Sequence, residues 1–129
     1  MKKIYIASPY TNGDPSANVR RQIDAAEELI NAGFYPYLPL LSHYQHQIHP
    51  HDYETWCRLD DAWIPSCQAL LRLPGESKGA DREVALAREL GIPVYYSVGE
   101  LVKGYRWRNV PNLLSATLGR QGKRGRGSG

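Results

Sequence analysis

The stretch SKGADREVALARELG, residues 77–91, decides how the rest of the chain is read. It lies between two short apolar and aromatic runs, ALLRL (69–73) and IPVYY (92–96). Read as a helix opening at Gly79 and ending near Gly91, it places Ala80, Glu83, Val84, Leu86, Ala87 and Leu90 on one broad stripe, at about 100° per residue. Asp81, Arg82, Arg88 and Glu89 point away from that stripe. A strand, a helix and a strand in this order form a right-handed crossover between parallel neighbours. The stripe is apolar except at Glu83, so the helix carries a carboxylate on the face that packs against the sheet.

The same alternation extends toward the N-terminus. KIYIAS (3–8) is a β-branched and aromatic run that stops at Pro9, and TNGDP (11–15) is turn chemistry with Asp14 or Ser16 available as a helix cap. Val19, Ile23, Ala26 and Ile30 then mark the inward side of a helix that Gly33 closes. FYPYLPL (34–40) is extended, and its two prolines make it an edge strand. Residues 42–51 form a polar, His-rich loop. Trp56, Leu59, Trp63 and Cys67 mark a further helix with Pro65 near its end, and residues 100–118 add a helix or two. Strands separated by helices imply an α/β fold. The expected architecture is a small doubly wound, flavodoxin- or Rossmann-like parallel sheet of four to five strands with helices on both faces. The domain spans residues 1–118, and 119–129 form a tail.

Composition narrows the class. With 129 residues and 42% hydrophobic content, the chain makes one globular domain. No apolar run approaches the ~20 residues of a membrane span, and no signal-peptide segment opens the chain. Cys57 and Cys67 follow no metal spacing and read as reduced thiols of a cytoplasmic protein. The formal charge of +3 is an average over two unlike parts. Through residue 102 there are nine Lys/Arg against thirteen Asp/Glu, a net of −4, and the last 27 residues supply +7. The basic, Gly-rich end, GRQGKRGRGSG (119–129), reads as a solvated, disordered tail, with nucleic-acid contact as the minor alternative.

In an open parallel sheet, ligands bind beyond the carboxyl ends of the strands, where strand order reverses. SPYTNG (8–13), the loop after the second strand, and PGESKGADRE (74–83) converge there. Glu83, in the first turn of its helix, then looks into the crevice. Ser77, Lys78 and Gly79 precede the helix start, where free N–H groups and the macrodipole attract anions such as phosphate or carboxylate. The same helix start would hold the Glu83 carboxyl below its usual range and keep it ionised.

IYIASPY (4–10), DDAWI (60–64) and SKGADREVALA (77–87), in this order, resemble the nucleoside 2-deoxyribosyltransferase superfamily, and most nearly its 2′-deoxynucleoside 5′-phosphate N-hydrolase branch. The resemblance covers roughly residues 3–98. It implies Glu83 as the nucleophile at C1′, Asp60 as the acid assisting the leaving base, and Tyr5 beside the nucleophile. It also implies Ser77 and Ser8 as phosphate or sugar contacts, with Pro9 and Tyr10 lining the same loop. The substrate would be a nucleoside or nucleotide, needing no cofactor and no metal. From the residues alone, Asp61 is as good a candidate as Asp60. Gln68 stands where relatives often carry Asp before the third strand, which leaves a nucleotide-binding or regulatory domain without turnover as the alternative function. Asp81 and Arg82 stand where relatives often have small residues, and Arg82 could pair with Glu83 or with a phosphate. Relatives complete their site from a neighbouring subunit, and Asn112 is the candidate for that role.

HYQHQIHPH (43–51) matches no usual zinc spacing. It reads as a flexible flap in which His43 reaches the base. Three tryptophans and nine tyrosines exceed what one small core readily hides, and Trp56 and Trp63 share a helical stripe, so a homodimer through that helix is expected.

Overall fold

β1 (Lys3–Ala7) forms the centre of the sheet because Ile4, Tyr5, Ile6 and Ala7 are all fully buried. A strand covered on both faces has no polar alternation to keep. The computed structural model describes residues 2–106. β1 pairs in parallel with β2 (Tyr35–Tyr37) on one side and with β3 (Ala69–Arg72) on the other. β4 (Val94–Tyr95) pairs in parallel with β3, which completes a four-stranded sheet of order β2-β1-β3-β4. β2 is an edge strand, where its Pro36 costs no ladder hydrogen bond.

α1 (Pro15–Asn31) connects β1 to β2, and α4 (Lys78–Glu89) connects β3 to β4. The two connections run in opposite directions across the sheet, so right-handed crossovers put α1 and α4 on opposite faces. The fold is a small doubly wound α/β sheet. Strand order reverses at β1 and β3, and the ligand crevice of such a sheet lies beyond their carboxyl ends.

Asp14 caps α1 through a bond from the Ser16 amide, with Pro15 at the first helical position. The buried side of α1 is Asn18, Val19, Gln22, Ala25, Ala26 and Leu29, so the stripe predicted through Ile23 and Ile30 is rotated. Those two isoleucines are 40% and 54% exposed. Apolarity alone misplaced the stripe because Asn18 and Gln22 are polar and nevertheless face inward.

α4 begins one residue earlier than expected, with Ser77 as its N-cap. Ala80, Glu83, Val84 and Ala87 are buried, whereas Leu90 falls at the C-cap and is exposed. Tyr5, Ala7, Ile64, Leu70, Ala80, Val84 and Ala87 form the core beneath this helix. Burying each large side chain there contributes about 1.5–3 kcal/mol.

The expected His-rich loop is instead a helix, α2 (Ser42–Ile48), entered through a 3-10 turn at Pro39–Leu41. Residues 42–48 contain neither Gly nor Pro, so nothing opposes helix there, and Pro50 blocks continuation past His49. α3 (Tyr53–Trp63), capped by Asp52, follows and gives way to a 3-10 turn at Ile64–Ser66 around Pro65. Cys67 therefore lies beyond α3 rather than on it.

The chain divides into two units, Met1–Val98 and Gly99–Gly129. Within the second, residues 99–106 are helical. The expected boundary at 118, the tail 119–129 and the candidate Asn112 lie outside the described residues. Among the described residues no helix is long and apolar enough to cross a membrane.

Candidate active site

Three loops meet at the reversal point. The loop after β1 touches the loop after β3 where Gly75 approaches Pro9. A Cβ on Gly75 would stand 2.8 Å from the Pro9 ring, and its φ of +117° is one that L side chains rarely adopt. Pro9 therefore serves loop contact and is not among the residues lining the cleft. That cleft, of about 730 Å³, is walled by Ser8, Tyr10, His43, Asp60, Ser77, Gly79, Arg82 and Glu83, with Gln22, His46, Tyr53 and Trp56 among further residues.

Glu83 sits at the bottom, 7% exposed, and its Oε2 accepts a 2.6 Å hydrogen bond from the Tyr5 hydroxyl. Tyr5 reaches it because odd positions of β1 face α4, the period of two that strands impose. Burial and the nearby carboxylates of Glu83 and Asp60 hold the Tyr5 hydroxyl far above its usual range, so it stays protonated and donates. Burial pushes the Glu83 carboxyl up to about 7, against the lowering effects of the Tyr5 bond and of Arg82. This overturns the expectation that the helix start keeps it low. Because α4 opens at Lys78, Glu83 stands in its second turn, and the macrodipole fades within the first.

Asp60 and Asp61 separate cleanly. Asp60 lines the cleft, and its Oδ1 is buried without a hydrogen-bond partner. Burial, then the charge of Glu83, raises its carboxyl to about 7. Asp61 instead takes the guanidinium of Arg82, whose Nη1 donates to both of its oxygens at 2.6 and 2.8 Å. Arg82 thus pairs first with Asp61, and its Nη2 is 4.0 Å from Glu83 Oε2.

Ser77 uses its hydroxyl oxygen to accept from the Ala80 amide at 3.0 Å, which leaves the O–H free to donate outward. Gly79 stands opposite the Tyr53 hydroxyl, which a Cβ would meet at 3.4 Å. Tyr10 Oη and His43 Nδ1 are 2.6 Å apart, tying the loop after β1 to α2.

Gln22 was missed by the sequence reading. It is 1% exposed, donates to Ile6 O and to Ser8 Oγ, and accepts from the Leu40 amide. It therefore joins the ends of β1 and β2 at the cleft. A polar residue on the inward side of a helix was the available signal, the same one that exposed Glu83. His46 was missed as well: its Nδ1 accepts from Trp56 Nε1 and from the His51 amide, which fixes α2 against α3.

Gln68 lies elsewhere. Its side chain accepts from the Lys3 amide at 2.7 Å, at the amino ends of β1 and β3. In a parallel sheet that is the edge remote from the cleft, so Gln68 is not among the residues that line it. Among the described residues no group of three or more His, Cys, Asp or Glu side chains is placed to hold a metal ion.

Fold and site together define a doubly wound α/β domain with a buried carboxylate cleft at its topological switch point. The chain belongs to a family described as a domain of unknown function (DUF7768), which matches residues 2–97. No curated protein shows significant similarity to it.

Proposed function

We propose that this protein cleaves or transfers the N-glycosidic bond of a 2′-deoxynucleoside or its 5′-monophosphate, with Glu83 as nucleophile. The observation that carries this reading is the Glu83 carboxylate, buried at the switch point and held by Tyr5, facing a nucleotide-sized cleft it shares with the unpartnered Asp60. The Glu83 carboxylate attacks C1′, the C1′–N bond breaks, and the electron pair leaves with the base, which takes a proton from Asp60. Water then hydrolyses the glycosyl ester, or a second base captures it, and the carboxylate is regenerated. Glu83 is the ionised member of the pair because it accepts the Tyr5 hydroxyl and lies near Arg82, and Asp60 is the one that holds the proton. The Ser77 O–H, Lys78 and the free amides at the start of α4 suit a 5′-phosphate. The sequence resemblance to the nucleoside 2-deoxyribosyltransferase superfamily points the same way.

Incubation with each deoxynucleoside 5′-monophosphate and each deoxynucleoside, followed by chromatography, tests this directly. Free base is the expected product, and its absence across the whole panel would refute the reading.

A cytoplasmic homodimer completes the proposal. Leu59 and Trp63 on α3 and Tyr44 and Ile48 on α2 are between 45% and 73% exposed, an apolar surface that a second copy would cover. Trp56 is not part of it, being engaged with His46. Light scattering at micromolar concentration should give twice the 14.6 kDa chain mass.

A further inference from the structure

We propose that the Asp61–Arg82 ion pair is the positioning device of the cleft, clasping α3 to α4 and setting the charge balance beside Asp60 and Glu83 so that one of the two carries a proton while the other is ionised. This deepens the glycosidic reading and rests on it for its chemical purpose. The geometry is unusual in one respect. Asp60 and Asp61 are consecutive on α3, and Arg82 and Glu83 are consecutive on α4, so one ion pair adjoins both acids of the cleft. Arg82 Nη1 holds both Asp61 oxygens, Nη2 lies 4.0 Å from Glu83 Oε2, and Nε is buried with no partner. A lysine could not serve Asp61 and Glu83 at once, because only the planar guanidinium spreads its donors in this way.

The pair also has a direction. The side chains of Arg82 and Asp61 are each 37% exposed, against 9% for Glu83, so the charges of the pair act on a much drier neighbour. Arg82 lowers the proton affinity of both Asp60 and Glu83, and Asp61 raises that of both. Other groups facing these acids are Tyr5 from β1, Tyr37 from β2, Arg72 from β3, and Tyr53 on α3, with Cys57 on α3 facing Arg82. None of them opposes Arg82 in the way that Asp61 does.

Opposite ends of one ion pair should therefore shift the acids in opposite directions. The test is a carboxyl carbon-13 NMR titration of the full-length, ligand-free protein, with Asp60 and Glu83 assigned through Asp60→Asn and Glu83→Gln. Arg82→Ala should raise both midpoints by about one pH unit, and Asp61→Asn should lower both. Arg82→Lys, which keeps the charge, should stay nearer the wild type than Arg82→Ala. If Arg82→Ala fails to fold, Arg82→Gln carries the same expectation. A purely structural clasp would move the midpoints in the same direction for both ends, or leave them unmoved, and either result overturns the proposal. Because no substrate is present, failure to find base release would leave this outcome untouched, and the two readings fail separately.

Discussion

α1 and the α3–α4 pair both carry polar residues into the packed side of the domain, and they treat them in opposite ways. On α1, Asn18 and Gln22 are 4% and 1% exposed, and both are fully engaged. Asn18 donates to Tyr10 O and Asn12 O, and Gln22 makes three bonds to β1, Ser8 and Leu40. On α3 and α4, Glu83 has one close partner, and both Asp60 Oδ1 and Arg82 Nε have none. A satisfied buried network rigidifies a fold, whereas an orphaned buried polar atom costs stability. The second kind persists where a ligand supplies the missing partner. The α1 side thus has the character of scaffold, and the α3–α4 side that of the candidate site.

The largest expected effect tests the site half of this contrast. Glu83→Ala should lower base release by about 10⁴-fold or more while nucleotide binding is retained, because a nucleophile acts on the transition state. Glu83→Gln should leave the fold at least as stable as the wild type, since it removes a buried charge. Turnover assays beside urea denaturation check both, and wild-type turnover in Glu83→Ala would end the assignment.

The scaffold half should show the converse at Gln22. Gln22→Ala strands Ser8 Oγ, Ile6 O and the Leu40 amide, and should cost about 3 kcal/mol. A urea midpoint close to that of the wild type would mean that the network does not hold the scaffold.

Stability against pH sharpens the difference further. Asp60 and Glu83 both have carboxyls near 7 in the fold, above their ordinary values of 3.8 and 4.5. The native state thus binds more protons than the unfolded chain between about pH 4 and 7, and the contribution is complete below that window. Stability should fall as pH rises through it, at about 1.4 kcal/mol per pH unit for each extra proton the fold holds. The double change Asp60→Asn, Glu83→Gln should flatten this part of the curve in thermal melts recorded across the range.

The smallest effect separates capping from recognition at Ser77. Ser77→Ala should cost about 1 kcal/mol of stability through the lost cap, and Ser77→Gly only a few tenths. Both should weaken 5′-monophosphate binding by roughly 1.5–3 kcal/mol while sparing nucleosides, read by calorimetry. Unchanged monophosphate affinity in both would point to a nucleoside substrate and to transfer rather than hydrolysis.

What the sequence determined by itself was the alternation of the strands with α1, α3 and α4, and the position of the carboxylate. Short-range rules suffice for that: β-branched runs, turn residues and caps act over a few positions. Glu83 was legible because a lone carboxylate on an apolar stripe breaks a local pattern. The tertiary structure alone decided which polar groups face one another. Asp60 became the cleft acid, and Asp61 the partner of Arg82, through the crossing of α3 and α4. Gln68 stands away from the cleft because parallel strands send the start of β3 to the opposite edge. Residues 42–48 are compatible with helix locally, and bonds from Trp56 and His51 to His46 hold them as one. The rise of the Glu83 carboxyl, against the expected fall, follows from the same cause. Desolvation depends on everything packed around a group, and a reading along one chain cannot sum contributions that arrive from four elements at once.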